Sequence, residues 1–306
     1  MLQNIPRISV LVICYKQENV IRRALDSLIA QKDYIYEICI NDDKSPDGTW
    51  DVLQEYAAKY PDLVKPVRNE PNLGIFQNIE ATWKRPTGDL IYQLSGDDEC
   101  GKDYFKNVIE YIKNNHIDYQ NKAICIYGDY VQVNKNGQSI RYRNELISTN
   151  VLKLKLRKLL SNRSAVFSRK VLESFVPVSE GRSYEVEEAQ GIELQVFSRE
   201  NYYLPCVGNV YYAQIGVSAS KSLINERKKT IHIVFQKTLD FINRNQVCLD
   251  KKDCNFVKFL VAYEHRNMLK ALWYYLNSID FHLGSKGLQL ERILFVFKNK
   301  INLLFA

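Results

Sequence analysis

Three consecutive acids, Asp97-Asp98-Glu99, follow the apolar run Leu90-Ile91-Tyr92 and the step Gln93-Leu94-Ser95-Gly96. Like charges this close at the end of a strand are costly unless a cation, or a phosphate bridged by one, occupies them. A second acidic turn, Asn41-Asp42-Asp43-Lys44-Ser45-Pro46-Asp47-Gly48, follows another apolar run over 36–40. Either alone reads as an ordinary Asp/Gly turn. Two acid-tipped strands in one N-terminal half point to a nucleotide-plus-metal site at the carboxyl edge of a sheet.

The elements that must position these acids follow from the hydrophobic pattern. Ile8–Tyr15 is a short, nearly continuous, β-branched run, the pattern of a strand buried on both faces. Val20, Ile21, Ala24, Leu25, Leu28 and Ile29 then recur at helical spacing. After strand 36–40, Thr49 is placed to cap a helix running to about Tyr60, before Pro61. Val64–Val67 reads as a brief strand, Ile75–Trp83 as a helix opened by Asn72-Leu73-Gly74, and 90–94 as the strand that delivers the acids. This alternation predicts parallel βαβ units with all strand C-termini on one edge. Further on, Tyr104–Lys113 reads as helix, and 123–127, 165–167 and 207–212 as strands. Lys135-Asn136-Gly137-Gln138 reads as a hairpin turn and 152–160 as a basic, Leu-rich helix. Beyond about residue 221 the patterns are helical.

The 306 residues suffice for one large or two smaller domains, and 46% hydrophobic with 25% charged is ordinary for a globular protein. The net charge of +7 is unevenly spread: residues 1–150 hold 18 Lys/Arg and 21 Asp/Glu, residues 151–306 hold 24 and 14. An acidic half suits a metal; a basic half suits phosphates or an anionic surface. Seven cysteines, with no C-x-x-C spacing and no signal peptide, point to a reducing cytosol. Twenty tyrosines is a high count; surplus tyrosine lines polar grooves or packs at layer boundaries. The basic residues come without an aromatic nucleic-acid-reading motif, so nucleic acid is not an expected partner.

The ordered pieces Cys14-Tyr15-Lys16, Glu18, Asp42-Asp43-Lys44-Ser45-Pro46-Asp47-Gly48-Thr49, Asn72-Leu73-Gly74, Asn78, Thr87-Gly88-Asp89 and Ser95-Gly96-Asp97-Asp98-Glu99 resemble family 2 glycosyltransferases of the GT-A fold. The likeness extends through Asn162–Leu172 and Val210–Ser218, covering roughly residues 7–220. It implies an α/β, Rossmann-like architecture: a mixed, mainly parallel sheet flanked by helices, with a C-terminal helical extension. It also implies a nucleotide-sugar-binding catalytic domain over 1–220 and a basic helical region over 221–306.

The chemistry implied is inverting, metal-dependent transfer of a sugar from a nucleotide-diphosphate donor, UDP-sugar foremost, to a hydroxyl of a glycan or lipid-linked glycan in bacterial surface polysaccharide synthesis. Asp98 is the foremost metal ligand; Asp97 would touch the metal or the ribose. Hard oxygen ligands suit Mg²⁺ or Mn²⁺. The family usually has another Asp where Ser95 stands, and some relatives have a His near Gln214. Asp42 or Asp43 would accept from the base imide, an acceptor-only match. Cys14 and Tyr15 would flank the base, Glu18 the ribose or a neighbouring loop, and Asn72 and Asn78 the diphosphate. Arg68 and Lys84 are further phosphate candidates without a motif. The general base is expected among Glu188, Glu187 and Glu193, where the family's E-D pair is missing.

The C-terminal stretch 293–305 mixes large apolar residues with lysines. It reads as a basic amphipathic helix for the cytoplasmic face of a membrane, or as one packed on the catalytic domain. Two other classes compete with an enzyme of this kind. One is a non-catalytic nucleotide-sugar-binding relative. The other is a sugar-phosphate nucleotidyltransferase, disfavoured because Lys16-Gln17-Glu18-Asn19 is no Gly-rich loop.

Overall fold

Strand β1 (Ile8–Cys14) is buried along nearly its whole length, as its unbroken apolar run requires. It pairs in parallel with β2 (Glu37–Asp42) on one side and β4 (Leu90–Ser95) on the other, while β2 pairs in parallel with β3 (Val64–Arg68). Helices α1 (Ile21–Ile29), α2 (Thr49–Lys59) and α3 (Ile75–Trp83) connect them. The molecule is described from a computed structural model covering residues 5–144, 162–174, 198, 200–213, 255, 258, 262 and 268–277.

Among the described residues the sheet has nine strands in the order β3-β2-β1-β4-β8-β6-β9-β5, with β7 paired to β6 alone. Beyond the parallel quartet come β5 (Glu99–Cys100), β6 (Ile124–Val133), β7 (Ser139–Tyr142), β8 (Ala165–Ser168) and β9 (Glu200–Tyr212). β8 runs antiparallel between β4 and β6, β6 and β9 are parallel, and β5 is antiparallel to β9. Period-two alternation divides the core between the two sheet faces. Ile8, Val10 and Val12 pack with Leu25, Leu53, Phe105 and Val108 on one. Leu11, Ile91 and Phe167 pack with Ile79 and Trp83 on the other, where the Trp83 and Phe167 rings stack at 5.2 Å. Helices α4 (Tyr104–Asn114) and α5 (Arg169–Ser174) flank the sheet.

The chain divides into two compact units, residues 1–147 with 161–228, and residues 148–160 with 229–306. Among the described residues the strands all belong to the first; in the second, α6 (Met268–Leu276) is a short helix. No helix among the described residues is long and apolar enough to cross a membrane.

The pattern-based elements meet the structure with three corrections. Thr49 is the first residue of α2 and not its cap: Gly48 holds the capping position. The Thr49 hydroxyl instead donates to Asp47 at 2.5 Å and accepts from the Gln17 amide at 2.8 Å, tying α2 to the start of α1. β6 and β9 are longer than the expected 123–127 and 207–212, because the second half of β6 and the first half of β9 are mostly half-buried and need no continuous hydrophobic run. β5 is too short to carry a pattern at all. The proposed helix over 152–160 and the stretch 293–305 lie outside the described residues.

Candidate active site

Both acidic turns leave the C-terminal ends of strands adjacent to β1. Cys14 lies opposite Asp42, and Ile13 opposite Ser95, so the turns flank Tyr15 from either side. Two strand spacings separate them, roughly 10 Å. The Asp43 amide donates to the Cys14 carbonyl, and the Gly96 amide to the Ile13 carbonyl, both at 3.0 Å, fastening each turn to the end of β1.

On the β2 side the acids are held mostly by donors of the protein itself. Asp42, fully buried, accepts from the Ser45 amide at 3.1 Å and from the Ser45 hydroxyl, with the Arg68 guanidinium 3.4 Å away. Burial raises its pKa against the pull of those donors. Asp43 accepts from the Asn69 side chain at 2.9 Å and from the Leu73 and Gly74 amides, both at 2.8 Å. Three of its roughly four lone-pair directions are thus taken, leaving room for one outside donor. Gly74 carries a φ of 79°, a conformation that a side chain would strain, and this aims its N–H at Asp43. Asn72 donates to the Asp43 carbonyl at 2.5 Å. Asn78 is buried, accepting from Asn69 at 2.9 Å and donating to the Asn41 carbonyl at 3.3 Å, so both ends of its amide face protein.

Tyr15 stands exposed above the edge with the Lys16 ammonium 5.2 Å from its ring. Glu18 accepts from the Gly48 amide at 3.1 Å, holding the neighbouring turn. Cys14 is buried beside Asp42; burial first, then the nearby Asp42, Asp47 and Asp43 charges, raises its thiol pKa well above the ordinary value, keeping it protonated. Arg68 caps the Ser45 carbonyl at 2.7 Å, while Lys84 pairs with Glu80 on the exposed side of α3.

The β4 side is charged and undersupplied. Asp98 is 2% exposed, and burial, with the Asp97 charge adding to it, pushes its carboxyl up to about 7. Its donors are distant: Arg163 Nη1 at 3.3 Å, the Tyr212 amide at 3.3 Å and the Asn209 amide nitrogen at 3.5 Å. The Asn209 Oδ1 oxygen is buried without a partner in the same place. Around this carboxylate a clasp is built. Arg23 from α1 donates to the Asp97 carbonyl at 2.6 Å, sits 3.3 Å from Glu99 and lies 3.5 Å from the centre of the Tyr212 ring. Tyr212 in turn donates to Glu99 at 2.6 Å. Arg163 lies 3.7 Å from the centre of the Tyr211 ring. Gly101 lets the turn close on β9, since a Cβ there would fall 1.8 Å from the Val207 carbonyl oxygen.

Among the described residues no group of three or more His, Cys, Asp and Glu is arranged to hold a metal. A resident cage is therefore a poor match. A pair of carboxylates with a buried, under-neutralised member suits an ion that arrives with substrate phosphates, which is how small hard cations are usually held. Glu187, Glu188, Glu193 and Gln214 lie outside the described residues. The sequence reading missed the functional weight of Arg163 and Arg23, which stand in no acidic motif; the Tyr211-Tyr212 pair over which they lie was the signal nearest to them.

Residues 9–175 match the family model for glycosyl transferase family 2. A putative glycosyltransferase of Bacillus subtilis, EpsE, is 31% identical over 93 residues, 30% of this chain and 34% of that protein. The chain spans about a quarter to a third of the length of the first curated relatives it matches. Among solved structures, S. aureus TarS 1–349 in complex with UDP-GlcNAc superimposes with a TM-score of 0.63 at 16% identity, covering 94% of this chain and 79% of that one. The mannosyltransferase PcManGT of Pyrobaculum calidifontis, in complex with GDP-Man and Mn²⁺, gives 0.55 at 16% identity, covering 97% and 88%. At such identity these likenesses show the fold alone, a GT-A-like mixed sheet with flanking helices. The family match spans more than half of the chain, which therefore belongs to glycosyl transferase family 2.

Proposed function

We propose that the chain transfers a sugar, with inversion, from a nucleotide-diphosphate sugar, UDP-sugar foremost, to a hydroxyl of a glycan or lipid-linked glycan. The observation that carries this reading is Asp98: a buried carboxylate beside Asp97, raised to about 7 despite Arg163 at 3.3 Å, at the same sheet edge as the Asp42–Asp43 turn. Mg²⁺ or Mn²⁺ bound there would neutralise the departing diphosphate, the charge that limits glycosyl transfer.

The chain's own residues do the rest. Asp98 and Asp97 hold the ion from the protein side, and Arg23 keeps their turn in place through the Asp97 carbonyl. Tyr15 flanks the base, and the remaining acceptor direction of Asp43 meets its imide N–H, with Asp42 and Cys14 packed behind and Glu18 and Asn72 fixing the adjoining loops. Asn78 positions Asn69, which holds Asp43. Glu188, Glu187 or Glu193 removes the acceptor proton. The UDP-GlcNAc complex of TarS, the Mn²⁺ complex of PcManGT and the EpsE likeness support the donor class and the metal. Surface polysaccharide assembly at the cytoplasmic face of the membrane, with residues 221–306 as a peripheral contact, fits the +8 balance of that stretch, 15 Lys/Arg against 7 Asp/Glu.

Calorimetric titration of the full chain with UDP, with and without Mn²⁺, tests this reading. Binding that strengthens at least about tenfold with the ion is expected, together with slow hydrolysis of one nucleotide-sugar. Metal-independent binding would remove the cation from the mechanism. Binding without turnover of any common donor, acceptor present or not, would leave a non-catalytic binder.

A further inference from the structure

The hairpin β6–β7 and strand β9 share a face that leads away from Asp98. Tyr142 lies opposite Tyr130, and Tyr130 opposite Asn209; in the next row Ile140 lies opposite Gln132, and Gln132 opposite Tyr211. Paired residues and their alternate neighbours project from one side of a sheet. The row therefore starts at Asn209, whose amide faces Asp98 at 3.5 Å, and ends at the edge strand β7. Exposure rises along it, from 1% at Asn209 through half-buried Tyr130 to 38% at Tyr142 and 58% at Ile140. The Tyr130 and Tyr142 rings stack at 4.8 Å with 8° between their planes, covering each other's inner faces.

We propose that this face is a carbohydrate subsite on which the acceptor glycan lies, with Tyr142 as its outer platform and Asn209 at its reacting end. The inference rests on the glycosyltransferase reading and assigns that site its acceptor side. A sugar ring has one apolar C–H face and a rim of hydroxyls. Flat aromatic faces interleaved with amides and phenols match both parts at once. The side chains of the two rows are uncharged, and the Arg163 guanidinium over the Tyr211 ring is already paired with Asp98, which suits a neutral glycan better than an acidic peptide. Position argues the same way: the receiving hydroxyl must come to the donor at Asp98. A row that begins there and runs two strand spacings outward, roughly 10 Å, aligns a chain of rings with its end at the donor.

Saturation-transfer NMR decides it, using the full chain with UDP and Mn²⁺ and four neutral probes: cellotetraose, chitotetraose, mannotetraose and maltotetraose. At least one is expected to receive saturation from tyrosine protons. Tyr142→Leu, which keeps an apolar group but removes the flat ring, is expected to weaken that binding about tenfold, and Tyr142→Trp to retain it within about threefold. Thermal unfolding serves as the fold control, which an exposed position should pass. Absence of signal from all four probes, or equal binding by the leucine variant, overturns the subsite. So does a concentration-dependent dimer in sedimentation that the leucine variant abolishes, since the occupant would then be a second copy added at β7. UDP failing to bind the unaltered chain would sink the nucleotide-sugar reading instead, while the sugar signals still decide the platform.

Discussion

The two Asp-Asp turns sit on neighbouring sides of one strand and look interchangeable on paper, yet their surroundings are opposite. Asp43 is wrapped by three short hydrogen bonds, two of them from the backbone at the entrance to α3. Asp98 is as deeply buried and has three contacts of 3.3 to 3.5 Å, with its carboxyl raised to about 7. A carboxylate held by short bonds from fixed dipoles is already well compensated; a buried one whose contacts, Arg163 included, are long is a place where an incoming cation gains most. The same dipeptide thus stands in two different settings, and the donors around it make the difference.

Identical substitutions should separate the two. Asp98→Asn is expected to lower Mn²⁺-dependent UDP affinity about a hundredfold or more by calorimetry. It should also raise stability by about 1 kcal/mol above pH 7, because the folded pKa lies above the unfolded one and ionisation there opposes folding. The gain should fade as pH falls through 7 toward the ordinary Asp value of about 4. A variant that loses stability at pH 8 would break the contrast. Asp43→Asn should do the reverse, costing about 2 kcal/mol in urea unfolding, since an amide NH₂ cannot accept from the Asn69, Leu73 and Gly74 donors. Unchanged stability would mean that its bonds are incidental.

A third carboxylate, at the opposite end of β2, sharpens the comparison. Burial would push Glu37 up, but Lys65 at 2.9 Å, both Thr87 donors and the Ser9 hydroxyl at 2.7 Å hold it down at about 2. A folded pKa below the unfolded value stabilises above about pH 4.5 and is lost as pH falls toward 2. Glu37→Gln should therefore cost on the order of 1 kcal/mol at pH 7, discounted for the exposed Lys65, and should flatten the acid limb of the stability curve over that window. An unaltered limb would show that this acid contributes nothing.

Much of the N-terminal parallel architecture was legible in the residues because it is local. The unbroken run Ile8–Cys14, the helical spacing of Ile21, Leu25 and Leu28 and the helix Ile75–Trp83 each follow from short-range periodicity and burial. The roles inside the turns were harder to read. No pattern says that Asp43 will meet the amides of residues 73 and 74, because that depends on how the 69–74 loop folds over β2. Nor could spacing reveal Arg163 on Asp98, two residues 65 apart in the chain whose meeting is set by β8 entering the sheet beside β4. Strand β9 begins at Glu200, ahead of the expected start at Val207, because Glu200, Asn201, Tyr202 and Tyr203 are half-buried and form no apolar run.

Tyr212 touches Asp98 and Glu99 from 114 and 113 residues downstream. On a chain emerging from the ribosome, the first four strands can assemble with the β2 turn in final form. The rim beneath β4 must wait until residue 212 has threaded between its neighbours. The finished surroundings of Asp98 and Glu99 are thus tied to completion of the sheet, so an unfinished polypeptide carries these acids without the contacts that β9 brings them.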